Sequence, residues 1–153
     1  MISTRIATLS DLAAVAPLFD AYRQFYGRAA DPVLARQFIR ERMQNEQSVI
    51  LLALAEGRPV GFCQLYPTFC SVEAQPIFVL YDLFVAADAR RCGAGRALLL
   101  AAEQLAVRDG KSRLDLSTAR TNRAAQSAYE SLGWVRDEMF HVYSKRPVAA
   151  DRS

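Results

Sequence analysis

One histidine, one tryptophan, three cysteines, six prolines and seven glycines among 153 residues leave several chemistries without raw material. A single histidine, His141, excludes a two-histidine metal site, and alone in an expected strand it reads as structural. No metal is expected. Cys63, Cys70 and Cys92 are odd in number and far apart, which argues against a disulfide framework and makes a reducing cytoplasm the expected compartment. Cys63 and Cys70 read as small buried hydrophobes. No apolar run reaches membrane-spanning length. The greasiest stretch, Ala97 to Ala102, is closed off by Arg96 and Glu103, and no basic-plus-apolar leader is present. A soluble protein without a membrane partner is expected. Excess charge is missing too: a net +3 is too small to imply a nucleic-acid partner.

What is there has the composition of a folded domain. At 52% hydrophobic, 10% aromatic and 23% charged, the chain resembles neither a disordered nor a collagen-like sequence. A chain of this length buries about 68–70% of its unfolded surface and needs no staple. No repeat, low-complexity tract or linker divides it. One domain over residues 1–146, with a flexible tail over 147–153, is expected. Charge is unevenly spread. Residues 1–89 hold 7 arginines against 9 acidic side chains, and residues 90–153 hold 12 basic against 7 acidic. This reads either as solvated helix faces or as a C-terminal half that meets an anion.

Ile2–Ala7 alternates like a strand. Ser10 reads as the N-cap of a helix with the apolar stripe Leu12, Val15, Phe19, Tyr22 and Tyr26, ended by Gly27. Asp31 caps a second helix, with Pro32 in its first turn, running to about Glu46. Ser48–Ala55 and Val60–Phe69 read as a hairpin about Glu56-Gly57-Arg58-Pro59, and Pro76–Val85 as a further strand. A helix over Gly95–Arg108 stops at Gly110, and Arg113–Ser117 is a strand. A helix over Asn122–Leu132 stops at Gly133, and Trp134–Lys145 reads as two short strands. The order βααβββαβαββ is that of an α+β, mixed α/β sandwich.

The chemically loaded segment is Leu80-Tyr81-Asp82-Leu83-Phe84-Val85, a seven-residue spacer, then Gly93-Ala94-Gly95-Arg96. A strand there runs through a glycine loop into a helix. Glycines let backbone N–H groups turn inward, and a helix N-terminus adds roughly half a positive charge. Together they make an anion cradle, which Arg90, Arg91 and Arg96 reinforce. A Walker loop is excluded, because Arg96 and Ala97 follow Gly95 where Lys and Ser/Thr are required. A dinucleotide fingerprint fits poorly as well. Leu98 occupies its third small position, and the spacer from Ala86 to Cys92 is too long for its tight turn.

Arg90-Arg91-Cys92-Gly93-Ala94-Gly95 resembles the (Q/R)-x-x-G-x-(G/A) acetyl-CoA signature of the GNAT N-acetyltransferases. Asn122-Arg123-Ala124-Ala125-Gln126-Ser127-Ala128-Tyr129-Glu130-Ser131-Leu132-Gly133-Trp134 is similar to that family's second signature, N-x-x-A-x-x-(L)-Y-E-x-x-G-(F/W), departing only at Ala128. The resemblance spans essentially the whole chain and implies the GNAT fold, a mostly antiparallel twisted sheet flanked by about four helices. It implies acetyl-CoA as cofactor and direct acetyl transfer to a primary amine. It places the pyrophosphate on the amides of Arg91 to Arg96, so that Arg90, Arg91, Cys92, Gly93, Ala94, Gly95 and Arg96 form the cofactor loop. It places the pantetheine arm along Leu83, Phe84 and Val85, with the Val85 amide as oxyanion donor. A homodimer is the assembly it implies.

On the second signature, Asn122, Ala125, Gln126 and Tyr129 share one helical face. Small Ala125 would admit the pantetheine arm. Asn122 caps its helix or bonds that arm, and the two roles are compatible. Tyr129 is the candidate acid for the departing thiolate, and otherwise a core aromatic before a helix stop. Asp82, the one carboxylate in the central apolar strand, either anchors the acceptor ammonium, relays its proton, or makes a structural ion pair with an arginine. Small polyamine acetyltransferases of the family look similar here, with an acid directly before a Leu-Phe-Val strand end. Their second acid, one position earlier, is Tyr81 in this chain. Phe25, Tyr26 and Tyr66 join Tyr81 and Asp82 as candidate acceptor contacts, although Tyr26 also completes the first helix's core stripe. Cys92 as a covalent acyl carrier is a further alternative. The expected acceptor is a small-molecule amine. Transfer to protein or peptide amines, and a non-catalytic acyl-CoA sensor, are the rivals.

Overall fold

Strand β1 (Ile2–Ile6) pairs antiparallel with β2 (Val49–Ala55), and β2 with β3 (Arg58–Cys70). Glu56 and Gly57, with φ of 50° and 78°, both adopt the left-handed backbone whose twist suits a two-residue hairpin turn. Arg58 and Pro59, expected in that turn, already belong to β3. Strand β4 (Gln75–Val85) continues the antiparallel order, and β5 (Leu114–Asp115) pairs parallel to it, giving the sheet β1-β2-β3-β4-β5. The strand expected over Arg113–Ser117 is thus only two residues long. The structure, a computed structural model, describes residues 1–148. Two compact units, Met1–Ser117 and Thr118–Ser153, divide the chain and are taken in turn.

In the first unit, α1 (Leu12–Phe25) and α2 (Pro32–Gln44) cover one face of the sheet. Val15, Phe19, Ala35 and Ile39 pack there with Ile50, Leu52, Phe62 and Phe84. A large side chain buried fully in such a cluster contributes about 1.5–3 kcal/mol. Alternation turns Leu51, Cys63 and Leu65 to the opposite face, where α3 (Ala94–Arg108) sets Leu98, Leu99, Ala102 and Leu105.

Helix α1 is not capped by Ser10. Residues Leu9–Asp11 form a 3₁₀ turn, and the Asp11 carboxylate accepts from the Thr8 N–H at 2.8 Å while gripping Arg5 through two 2.7 Å bonds. A carboxylate is the stronger acceptor there, and the Arg5 guanidinium beside it holds its pKa down at about 2. Asp31 caps α2 as expected, accepting from the Leu34 N–H. Buried Asp20 accepts from the Asp31 N–H at 2.9 Å and from Gln24 at 3.2 Å, which ties the connection between the two helices to α1.

Cys63 is buried, and desolvation pushes its thiol up to about 12. Cys70 is only partly buried, at the end of β3 with its sulfur 3.7 Å from Arg113 Nη1. Among the described residues no helix is long and apolar enough to cross a membrane.

In the second unit, Asn122 Oδ1 accepts from the Ala125 N–H at 3.2 Å and caps α4 (Arg123–Ser131). Gly133, at φ 91°, ends the helix, with the Trp134 N–H returning to the Tyr129 carbonyl at 3.1 Å. The two strands expected over Trp134–Lys145 are not formed. The Asp137 carboxylate takes the Met139 and Phe140 N–H groups at 3.1 and 3.2 Å, and Arg136 pairs with Glu138. Such local capture withdraws backbone donors from a ladder. His141 is accordingly exposed and in no strand. Of the expected tail, Pro147 and Val148 are exposed, and residues 149–153 lie outside the described residues.

Candidate active site

The site grows from an irregularity in β4. Gln64 pairs with Asp82, but the next β3 residue, Leu65, pairs with Leu80. Tyr81 is therefore the extra residue of a β-bulge. The bulge reverses the phase of the strand. Leu80 lies on the α3 face with Leu65, whereas Asp82 and Phe84 lie on the α1–α2 face with Gln64 and Phe62. A cleft of about 690 Å³ opens there. Phe19 and Tyr22 of α1, with Tyr26 just past its end, form one wall, Phe38 of α2 another, and Tyr66, Tyr81 and Asp82 belong to the sheet side. Tyr66 and Tyr81 meet edge to face at 5.7 Å, as do Tyr22 and Tyr26 at 5.1 Å.

Asp82 is buried, yet no arginine among the described residues pairs with it, so the ion-pair reading does not hold there. Gln64 Nε2 donates to Asp82 Oδ2 at 2.7 Å, and Ser48 Oγ donates to Gln64 Oε1 at 2.7 Å. Desolvation pushes the Asp82 pKa above the ordinary carboxylate range, opposed in part by the bonds from Gln64 and the Tyr22 hydroxyl. Tyr22 in turn has its phenol pKa raised, first by burial and then by the Asp82 charge. Its hydroxyl also reaches the Tyr81 carbonyl at 3.4 Å. The Tyr66 phenol is pushed up to about 12 by burial and the same carboxylate, with Arg42 working the other way.

Of the acceptor contacts expected from sequence, Tyr26, Tyr66, Tyr81 and Asp82 come together in this cleft. Tyr26 is 57% exposed, so it is not the core residue its place in the helical stripe suggested. Phe25 does not line the cleft. It lies against Phe84 at 6.4 Å, under the Arg90 guanidinium at 5.4 Å. Sequence reasoning missed Gln64 and Tyr22 beside Asp82, and Ser48 behind Gln64. A fully buried glutamine within an apolar strand was the available signal.

On the edge of β4 away from β3, pairing with β5 covers only Phe78 and Val79. From Leu80 to Val85 that edge has no strand partner among the described residues. The Ala86 N–H bonds the Val60 carbonyl of β3 at 2.8 Å, so by alternation the backbone groups of Leu83 and Val85 point to the open edge and those of Phe84 toward β3. Arg90 Nε already donates to the Val85 carbonyl at 3.2 Å.

The loop that follows turns on two left-handed residues, Arg91 at φ 66° and Gly93 at φ 89°. Gly93 is the N-cap of α3 with no side-chain cap, so the amides of Ala94, Gly95 and Arg96 start the helix uncapped. A Cβ on Gly95 would meet only Val85 Cγ2, at 3.9 Å. The cradle is open. Arg90, Arg91, Cys92 and Arg96 are exposed around it, and none of the three arginines pairs with a carboxylate among the described residues. Such a loop suits a phosphate-bearing ligand.

Within the second unit, Asn122, Ala125, Gln126 and Tyr129 are half-buried while their neighbours on α4 are exposed, so the shared face expected from their spacing exists. Asn122 acts as the cap. Gln126 Nε2 donates to the carbonyls of Ala119 and Arg120, both at 3.0 Å. The Tyr129 ring lies 6.2 Å from that of Trp134.

Comparison with known proteins identifies the family. Residues 15–134 match the Acetyltransferase (GNAT) family. The chain is 48% identical over 139 residues to an uncharacterized N-acetyltransferase, YhfO, of Bacillus subtilis (strain 168), covering 91% of this chain and 93% of that one. It is 36% identical over 84 residues to a probable acetyltransferase of Haemophilus influenzae, covering 54% and 58%. The crystal structure of a probable acetyltransferase superposes with a TM-score of 0.87 at 40% identity over 99% of both chains. The chain belongs to the GNAT acetyltransferase family and is an N-acetyltransferase of that family, whose members use acetyl-CoA.

Proposed function

We propose that the protein acetylates a primary amine of a small molecule, with acetyl-CoA as its own donor and the amine attacking directly while both are bound. The observation that carries this reading is the course of β4. Asp82 faces an aromatic cleft, and Leu83 and Val85, one and three residues on, face an open strand edge. One short strand thus addresses an acceptor on one side and a donor on the other. The cleft volume falls in the range of about 300–1,000 Å³ typical of small-molecule sites, which favours a small acceptor over a protein tail.

Acetyl-CoA supplies the activated acyl group when bound. The amides from Arg91 to Arg96, with Cys92, Gly93, Ala94 and Gly95 between, hold its pyrophosphate, and Arg90, Arg91 and Arg96 balance its charge. Leu83 and Val85 pair with its amide arm as an added strand would, with Phe84 packed beneath. The Val85 N–H stabilises negative charge developing on the carbonyl oxygen. Asp82 anchors the incoming ammonium or takes its proton through water, and its raised pKa suits a proton acceptor. Tyr129 gives a proton to the departing thiolate, a group with an ordinary pKa near 8.5. Ala125 leaves room for the arm, and Asn122 holds the helix start beside it. The enzyme acts in the cytoplasm, as a homodimer.

The test is thiol release across a panel of primary amines. At least one should be turned over. Silence on all of them, with acetyl-CoA still bound in a titration, would favour a non-catalytic sensor.

A further inference from the structure

A cleft that binds an amine should welcome cations, yet this one is arranged against them. Its lining holds one carboxylate, Asp82, and two guanidiniums, Arg23 and Arg28. Asp82 is buried and already accepts from Gln64 at 2.7 Å. Arg23, in the last turn of α1, and Arg28, just past Gly27, have no carboxylate within 4 Å among the described residues. Elsewhere in this unit arginines do find acids, as Arg5 does with Asp11 and Arg113 with Asp115 and Glu73.

A third guanidinium stands behind the wall, already paired. Arg42 covers the Phe38 ring at 4.3 Å and bonds the Glu41 carboxylate at 3.3 Å, while its charge still bears on Tyr66. Phe38 and Tyr66 both line the cleft. Apart from Thr68 and Val79 the rest of the wall is aromatic, with little polar surface to solvate a second charge.

A polyamine would meet one carboxylate and two like charges, a combination that is repulsive overall. An amine that also bears an anion balances the cleft. Its ammonium faces Asp82, its carboxylate meets a free guanidinium fork, and its body lies against the rings. Resting on the acetyltransfer reading above, we propose that the acceptor is an aromatic or apolar amine that carries a carboxylate.

The experiment compares kcat/KM for matched pairs of amines in the intact protein: phenylalanine against phenethylamine, and 4-(aminomethyl)benzoate against benzylamine. Spermidine and a C-terminally amidated peptide with a free N-terminus and no charged side chains complete the panel. At least one carboxylate member should exceed its partner by about tenfold or more, which is about 1.4 kcal/mol. In R23Q/R28Q that ratio should collapse toward one, with circular dichroism showing a folded protein. Preference for spermidine, the peptide or the carboxylate-free amines overturns the inference and leaves acetyl transfer standing. So does a ratio that survives the double substitution. Silence on every amine removes both readings.

Discussion

The cleft under α1 is made of side chains, whereas the loop ahead of α3 is made of main chain. Asp82, Tyr22, Tyr66 and Tyr81 act in the cleft through their functional groups, and they come from three separate elements. In the loop, Arg91 and Gly93 matter first for their left-handed backbone, and the helix start offers amides that any residue carries. The contrast assigns each half of the reaction a different sensitivity. Changes of side-chain chemistry should damage the acceptor half, and changes of backbone freedom or space should damage the donor half.

The largest effects should come from groups that move protons. Tyr129→Phe should lower kcat by about 10²–10⁴ if its hydroxyl is the acid, with acetyl-CoA affinity read by titration nearly unchanged. Asp82→Asn should lower kcat/KM for the amine by about 10² and abolish the acidic limb of the pH profile. The active form of Asp82 is the carboxylate, so activity falls as pH drops through its pKa. Burial sets that pKa above the ordinary value of about 3.9. A wild-type rate in Asp82→Asn would break the assignment of the acceptor half to side chains, and one in Tyr129→Phe would remove its hydroxyl as the acid.

Next come the two loop glycines, which separate space from backbone strain. An added Cβ at Gly95 meets only Val85 Cγ2 at 3.9 Å, so the free protein should accept Gly95→Val with little change in Tm. A filled cradle should still weaken acetyl-CoA binding by about tenfold, or about 1.4 kcal/mol. Gly93→Ala differs, because φ 89° is costly for any residue with a Cβ. It should lose about 1 kcal/mol of stability as well as affinity. Equal Tm losses in the two variants would erase the distinction.

That same contrast decides what could be read from the amino-acid order. A backbone cradle leaves glycines at fixed spacing, and Gly93 and Gly95 announce it. A charge inside an apolar run, as at Asp82, is equally visible. Tyr22, Arg23 and Arg28 leave no such trace, and Gln64 only the fainter one of an amide in an apolar run, because they meet only when β3, α1 and the loop after α1 converge. The bulge at Tyr81 is silent as well. Simple alternation keeps Asp82 in phase with Leu80, whereas the register sets them on opposite faces. Trp134–Lys145 reads as two short strands, yet the Asp137 side chain takes two of its amides and no strand forms.

A smaller effect should appear at Gln64, as a displacement of the pH profile. Its amide lowers the Asp82 pKa against the effect of burial. In Gln64→Leu burial is opposed only by Tyr22, so the acidic limb should move to higher pH while the plateau rate stays within about threefold. Stability follows the same sign. A carboxyl whose folded pKa is raised binds its proton more tightly in the folded protein, so stability falls as pH rises from its unfolded value through its folded one. Gln64→Leu should therefore lose more stability at neutral than at mildly acidic pH. The overall loss should be about 1–3 kcal/mol, as for other buried polar groups left without a partner. A variant with an unmoved limb would show that Gln64 does not tune Asp82.

The smallest effect should fall on the residue closest to the chemistry. Val85 is proposed to act through its N–H, which every non-proline residue retains, so Val85→Ala should keep kcat within about threefold. Its cross-strand neighbour Gly61 touches no reacting group, yet a Cβ there would stand 2.8 Å from the Phe84 carbonyl oxygen. β4 must shift to relieve that contact, and the Val85 amide shifts with it. Gly61→Ala should therefore lower kcat more than Val85→Ala does, since small misplacements of a catalytic donor are expensive. The opposite ranking would mean that the Val85 side chain, and not its main chain, serves the donor half.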